Sequence, residues 1–294
     1  MVSNSMELKA VEEKAVGPWK EAWRSLKKSK AALVGTVIVL FFILLALFGP
    51  LFAPQGINDQ NLSVRLLPPS GEFWFGTDDF GRDIFSRIVH GARISLAVGF
   101  LSVVMSAIVG SFLGIIAGYY GRILDTIISR LFDIMLAFPS ILLAIAIVSI
   151  LGPSLQNALI AIAIINIPNF GRLIRSKVLS VKEEEYIVAA KAIGMKDSRI
   201  LLRHILPNSF SPIIVQGTLA IATAIIEAAA LSFLGLGAVA PQPEWGKMLS
   251  DARVHLMTAP WTMIFPGLAI MLTVLGFNLM GDGLRDALDP KMKN

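Results

Sequence analysis

Long stretches without a charged residue alternate with short polar ones along this chain, and that spacing predicts helices that cross a membrane. A crossing helix needs ~20 mostly apolar residues to traverse a ~30 Å hydrocarbon layer. Ala31 to Ala53 is a run of 23 uncharged residues, and Ile94 to Gly121 is a run of 28. Between Asp133 and Arg172 lie 38 more, too many for one crossing, and Gly152-Pro153-Ser154 near their middle is a turn signal that divides them into a third and a fourth span. The third is expected to begin as early as Thr126. A fifth runs from about Phe210 to Leu234, interrupted by Glu227, and a sixth occupies Leu256 to Gly281, with Trp261 as its expected start. An even number of crossings leaves both termini on one side.

Composition strengthens this reading. Of 294 residues, 55% are hydrophobic and 16% charged, with a mean hydropathy of +0.70, whereas soluble domains carry ~25% charged residues. A lipid bilayer must supply much of the solvent, and an ordinary cytosolic enzyme does not fit. The net charge of +5 is a topology signal: twenty Lys and Arg fall in residues 1–30, around Arg122 and Arg130, from Arg172 to Arg203, and after Gly281, against six on the other side, at Arg65, Arg82, Arg87, Arg93, Lys247 and Arg253. Positive segments are retained in the cytoplasm, so both termini are expected inside, and no nucleic-acid partner is expected. The first run exceeds the ~7–15 residues of a signal-peptide core and lacks an A-x-A-like site, so it reads as uncleaved. Before it, Trp19, Trp23 and Leu26 recur at helical spacing among Lys20, Arg24, Lys27 and Lys28, the pattern of a short helix on the inner headgroup surface. The expected organisation is therefore a cytoplasmic tail (1–30), a first span (31–53), an external loop (54–93), a five-helix core (94–281) with a cytoplasmic segment at 172–209, and a cytoplasmic tail (282–294).

Few residues carry chemistry. Cysteine is absent, which excludes disulfides, thiol nucleophiles and cysteine-ligated metals, and His90, His204 and His255 lie in separate segments. The Asp78-Asp79 region lacks the alternating ligands of an EF-hand. No metal, cofactor or catalytic residue is assigned. The chain has no G-x-x-x-x-G-K-[ST] phosphate loop, so any ATP must be hydrolysed by another chain. Glu227 is the one acid well inside a span, which leaves no Asp/Glu/His relay for a proton pump. It is read either as a satisfied polar contact, within or between subunits, or as a gating residue. Asn157, Asn166, Gln216 and Asn278 either line a polar path or bond neighbouring helices. Ser102, Ser106, Gly110, Gly114 and Gly118 recur every fourth residue, a stripe for close helix packing within the bundle or against a second subunit.

The segment Arg172–Ser209 is predicted to hold two short helices. Glu183, Glu184 and Glu185 favour the first turn of one by their charge against its dipole. Gly194 ends it in a left-handed cap, Asp197 or Ser198 caps a second through about Leu206, and Pro207 with Pro212 closes that helix before the fifth span. Outside the membrane, Ile84, Phe85, Ile88 and Val89 give residues 82–90 the apolar face of a surface helix, lying on the membrane or on another subunit. Its charged side is a candidate contact for an extracellular receptor. Gly235 and Gly237 permit sharp reversals, and Trp245 with Trp261 suits an interfacial belt.

Ala189-Ala190, Gly194 and Leu206-Pro207 fit the spacing E-A-A-x3-G-x9-I-x-L-P and resemble the EAA signature of ABC-importer permease subunits, with Val188 in place of Glu and His204 in place of Ile. Gly76-Thr77-Asp78-Asp79-Phe80-Gly81-Arg82-Asp83, continuing to Gly91-Ala92-Arg93-Ile94-Ser95-Leu96, is similar to the entry region of the C-type permease of dipeptide and oligopeptide importers. So are Leu231-Ser232-Phe233-Leu234-Gly235-Leu236-Gly237 with Pro243, Trp245-Gly246 and Met248-Leu249, and the C-terminal Gly281-Asp282-Gly283-Leu284-Arg285-Asp286 with Leu288-Asp289-Pro290. The resemblance implies an all-α, six-helix type I importer permease (MetI-like) fold in the cell membrane. It also implies partners: a homologous second permease subunit, one or two cytoplasmic ATP-binding subunits carrying ATP and Mg, and an extracellular or periplasmic peptide-binding protein. In that family the EAA segment is the coupling helix, which assigns ATPase coupling to Ala189, Ala190, Gly194, Asp197, Leu206 and Pro207. Nickel or glutathione as cargo, and an ATPase-independent channel or carrier, are the alternatives.

Overall fold

The computed structural model describes residues 29–288. The expected interfacial helix around Trp19 and Trp23, and the last six residues, lie outside them.

The first span is α1 (Lys30–Phe48), capped by the Ser29 hydroxyl, which accepts from the Ala32 N–H, and extended by a 3-10 turn at Gly49–Leu51. It is followed by α2 (Ile84–Tyr120), which is 37 residues long. The separate surface helix expected at 82–90 is not separate, because no proline stands between Ile84 and Tyr120, and Asp83 caps the whole element by accepting from the Ser86 N–H at 2.8 Å. Gly121, at φ 65°, turns the chain into α3 (Arg122–Ala137).

The third span departs most from expectation. It is broken: α3 is followed by α4 (Ser140–Leu151), bent from it by 96°. Proline has no N–H and pushes the residue before it out of the helical region, and Phe138, before Pro139, is extended at φ −95°, ψ 142°. Gly152 at φ 92° and the Ser154 cap then start α5 (Leu155–Val181). Five helices are long and apolar enough to cross a membrane, and the bent pair makes up to six.

Beyond α5 come α6 (Glu185–Ala192), α7 (Asp197–Ile200), a π turn at Leu201–Ile205, and α8 (Leu206–Phe233). Pro207 and Pro212 do not close the second short helix. The Leu206 N–H reaches back five residues to the Leu201 carbonyl, and this wider turn just before Pro207 carries the helix past it. Asp197–Phe233 is thus one element of 37 residues. A short helix that the apolar pattern does not reveal, α9 (Trp245–Ala252), precedes α10 (Trp261–Leu288), which continues seven residues beyond Gly281. Among the described residues there is no strand, only one isolated bridge between Thr77 and Asp83.

The most extensive pairing is α2 with α5, and α10 packs between α1 and α8. One apolar core joins α2, α4, α5 and α8 through Val98, Val148, Ile162 and Ala224. A second, at the end away from α6, gathers Phe42, Ile88, Trp245 and Met248. Leu40, Phe41, Leu44 and Leu47 on α1, with Phe100, Ile108 and Phe112 on α2, are exposed, an outward apolar surface suited to lipid or another apolar partner.

Candidate functional site

Three regions meet along α8. At one end, α6 and α7 form an elbow. α6 ends in a left-handed Gly194 at φ 78°, and the closing bonds are those of a Schellman motif: the Met195 N–H donates to the Ala190 carbonyl at 3.1 Å and the Gly194 N–H to the Lys191 carbonyl at 2.9 Å. A Cβ at Gly194 would meet nothing within 4 Å. The inner face of the elbow, Ile187, Ile200 and Ile205, is buried with Ile174, Val178 and Val181 of α5. Asp197 does not cap α7; Lys196 holds that position, and Asp197 instead accepts a 2.6 Å bond from the Tyr119 hydroxyl at the end of α2. Glu184 is the first residue before α6 and makes no side-chain cap bond, with Glu185 in the first turn.

The outer edge of the elbow is exposed and partly apolar. Tyr186, Val188, Ala189, Ile193 and Gly194 face outward, with Ile193 80% exposed, whereas Ala190 turns inward. Leu206 is half-buried and Pro207 exposed at the start of α8. Nearby, Asp125 pairs with Arg175, Asp133 with Arg172, and the Lys182 ammonium donates to the Gly118 carbonyl at 3.2 Å, so α2, α3 and α5 are tied together beside the elbow.

Further along α8, Gln216, Thr223 and Glu227 share one face with Leu219 and Ala220. They line a cavity of about 350 Å³ with Asn166 and Asn169 of α5 and with Phe138 and Ser140 at the helix break. Asn166, 7% exposed, donates to Glu227 Oε2 at 3.0 Å and to the Ile162 carbonyl at 3.0 Å. Asn157 lies elsewhere, bonding the Leu151 and Gly152 carbonyls at 2.9 Å each. Asn169 and Thr223 are exposed on this face, which is polar where lipid would penalise it.

The stripe on α2 lies against α5 of the same chain. A Cβ at Gly110 would come 2.6 Å from the Ile167 carbonyl oxygen, one at Gly114 would overlap the Gly171 carbonyl, and one at Gly118 would sit 2.9 Å from the Val178 Cβ. Ser102 and Ser106, both buried, bond the Gly99 and Val103 carbonyls at 3.0 Å. Close backbone approach at these glycines sets the tight α2–α5 contact.

At the far end, Glu244 caps α9, accepting from the Gly246 and Lys247 N–H groups at 3.0 and 2.8 Å. Burial pushes its carboxyl above the ordinary glutamate range, against these bonds and the Ser232 and Ser95 hydroxyls, which favour the charged form. Trp245 is not part of an interfacial belt: it is 0% exposed, donates to the Ile88 carbonyl at 3.1 Å and meets Phe42 edge-on. Trp261 is half-buried beside Phe75 and Phe265. Gly235 reverses the chain at φ 81°, and Gly237 instead serves close approach to Ser232. Arg82 and Arg87 are buried against Asp78, at 2.6 and 3.6 Å, so this part of the charged side of residues 82–90 is spent inside the chain.

Pro139 and Glu244 had no place among the residues singled out from sequence. The first had a signal, an X-Pro step inside a long apolar run. The second had little, since glutamate is an uncommon cap.

Residues 110–294 match the family described as the binding-protein-dependent transport system inner membrane component, and residues 17–69 match the N-terminal transmembrane domain of oligopeptide transport permease C. The chain is 68% identical to the dipeptide transport system permease protein DppC of Alkalihalophilus pseudofirmus, over 95% of this chain and 92% of that one. It is 48% identical to the protein of the same name in Haemophilus influenzae, over 94% and 96%. It is also 49% identical to the glutathione transport system permease protein GsiD of Escherichia coli, over 94% and 91%. A solved chain of the inward-facing MetNI methionine ABC transporter superposes with a TM-score of 0.55 at 19% identity, over 68% of this chain and 95% of that one, a likeness of fold.

Proposed function

Because the chain belongs to the family of binding-protein-dependent transport system inner membrane components, in its dipeptide/oligopeptide C-type branch, we propose that it is the permease subunit of an ATP-driven importer that moves di- and oligopeptides across the cytoplasmic membrane by alternating access. It performs no bond chemistry. ATP and Mg are held by one or two separate ATPase subunits, a homologous permease completes the path, and an extracellular or periplasmic binding protein delivers cargo. Both termini and the elbow lie in the cytoplasm, as the distribution of Lys and Arg favours. In this reading Ala189, Ala190, Gly194, Asp197, Leu206 and Pro207 belong to the coupling elbow, Glu227 stands on the path, and the Ser102–Gly118 stripe holds α2 to α5. The organisation is a 1–30 tail, a first span, an external loop and a five-helix core.

One observation carries the mechanism: α7, the second arm of the elbow, and the polar-faced α8 are a single helical element, Asp197–Phe233. At 1.5 Å per residue, the thirty-residue step from Asp197 to Glu227 is about 45 Å long. A partner that grips the exposed edge at Tyr186, Val188 and Ile193 can turn or tilt the wall of the cavity through the buried cluster that joins Ile187 of α6 to Ile200 and Ile205. The binding partners shift the equilibrium only through different affinity for its two states.

The test is reconstitution of the complete assembly with uptake of a labelled dipeptide, competed by dipeptides, oligopeptides, glutathione and Ni²⁺. Peptide competition and strict ATP dependence are expected. Uptake by this chain without an ATPase subunit would make it a channel or carrier, and competition by Ni²⁺ or glutathione alone would move the cargo.

A further inference from the structure

We propose that the cavity between α5, α8 and the Phe138–Pro139 break is a transient recognition site for the α-ammonium group of a peptide in transit, with Glu227 as its counter-ion. This rests on the peptide-import reading above.

Glu227 is the one charged residue among the twelve that line the cavity. It appears in none of the ion pairs among the described residues, so its charge has no cationic partner among them. Its known polar neighbours are neutral: Asn166, which donates to one oxygen, and the Ser140 hydroxyl at the start of α4. A carboxylate has about four acceptor sites, so much of its capacity is unspent. An ionisable side chain in a membrane span that faces a polar cavity is functional by default, and the partner it calls for is a cation.

The rest of the cavity says which cation. Neutral amides follow Glu227 along the same wall, Asn169 on α5 and Gln216 about three turns away on α8, and they suit peptide N–H and C=O groups. Met135, Leu136, Ile165 and Leu219 give apolar walls for side chains. A volume of about 350 Å³ lies within the ~300–1,000 Å³ of small-molecule sites. No Lys or Arg lines it, so the C-terminal carboxylate finds no ionic partner here. A site that grips one end of the cargo holds it weakly, as a path requires. The absence of cysteine from the chain makes the site directly testable.

Thr223 lines the same cavity one helical turn from Glu227, so Thr223→Cys places a lone thiol beside it. In the complete reconstituted assembly, its labelling by a cationic trimethylammonium thiosulfonate should outpace that by an anionic sulfonate analogue by roughly tenfold, relative to free thiol. Glu227→Gln should abolish the preference and Glu227→Asp should keep it. A dipeptide amide, which has the ammonium and no carboxylate, should slow labelling, and the N-acetylated dipeptide amide should not. The ratio with Glu227 intact needs no second variant to fold. Equal rates for the two reagents, or equal protection by the acetylated peptide, would overturn the assignment, as would a cationic partner from the second permease that holds Glu227 and leaves no preference. Peptide uptake by the unmodified assembly is measured in parallel: uptake without charge preference refutes this site alone, whereas no peptide uptake refutes the cargo reading.

Discussion

The left-handed turn at Gly194 isolates a single mechanical variable. Its φ is 78°, and an added Cβ meets no atom within 4 Å, so substitution there acts first through backbone strain. An L-residue in that conformation costs ~1–2 kcal/mol, with a β-branched side chain at the upper end and asparagine largely spared. Gly194→Val should therefore raise the fraction of elbows in which the Met195 and Gly194 bonds are broken by roughly 5- to 30-fold, Gly194→Ala by the lower figure, and Gly194→Asn by little. Membrane insertion should be unaffected because the strain is local. In proteoliposomes holding the full assembly, peptide uptake and receptor-stimulated ATP hydrolysis should fall in the order Asn, Ala, Val. If valine and asparagine behave alike, or if valine leaves uptake and ATPase association intact, the elbow is not the coupling element.

Other sites give further tests. Gly114→Ala should force α2 from α5, since its Cβ would overlap the Gly171 carbonyl, and cost ~1–3 kcal/mol, whereas Gly217→Ala, 3.9 Å from its nearest neighbour, should not; thermal midpoints of the solubilised protein compare the two, and equal midpoints would contradict the packing argument. Ile193→Cys should be labelled by impermeant reagents from the cytoplasmic side only, and should be shielded when ATPase subunits bind; labelling from outside would invert the topology. Glu244 has a folded pKa above its unfolded value, so its stabilising effect is full below the unfolded value and lost as pH rises through the folded one. The thermal midpoint should therefore drop from acid to neutral pH, and the drop should shrink in Glu244→Gln.

How far the sequence could be read depended on whether the relevant force acts along the chain or across it. Uncharged length is a local property, so the helices α1 and α2 were legible from the runs at 31–53 and 94–121, although α2 begins ten residues before its run, and the left-handed glycine that ends α6 was legible too. Continuity was harder. Proline usually ends a helix, and the same residue type did opposite things here: Pro139 follows an extended Phe138 and bends the span by 96°, whereas Pro207 is preceded by a π turn that carries the helix through. What separates them is the register of hydrogen bonds upstream, which composition does not record. Burial across the fold was likewise hidden: Trp245 reads as a membrane-interface residue until Ile88, Phe42 and Gly91 close over it, and Arg87 reads as a free surface charge until Asp78 takes it.

Glu227 lies between these cases. Its position inside a span was visible, but the meaning of that position depends on Asn166, Ser140 and the break at Pro139, three groups brought from other helices. The break is what makes the cavity. The chain bends by 96° between α3 and α4, and Phe138 and Ser140, on either side of Pro139, both line the space beside Glu227. A helix that reaches from the elbow to this cavity can do work only if something gives at the far end. A span that already lacks one set of backbone hydrogen bonds is the place where repositioning costs least.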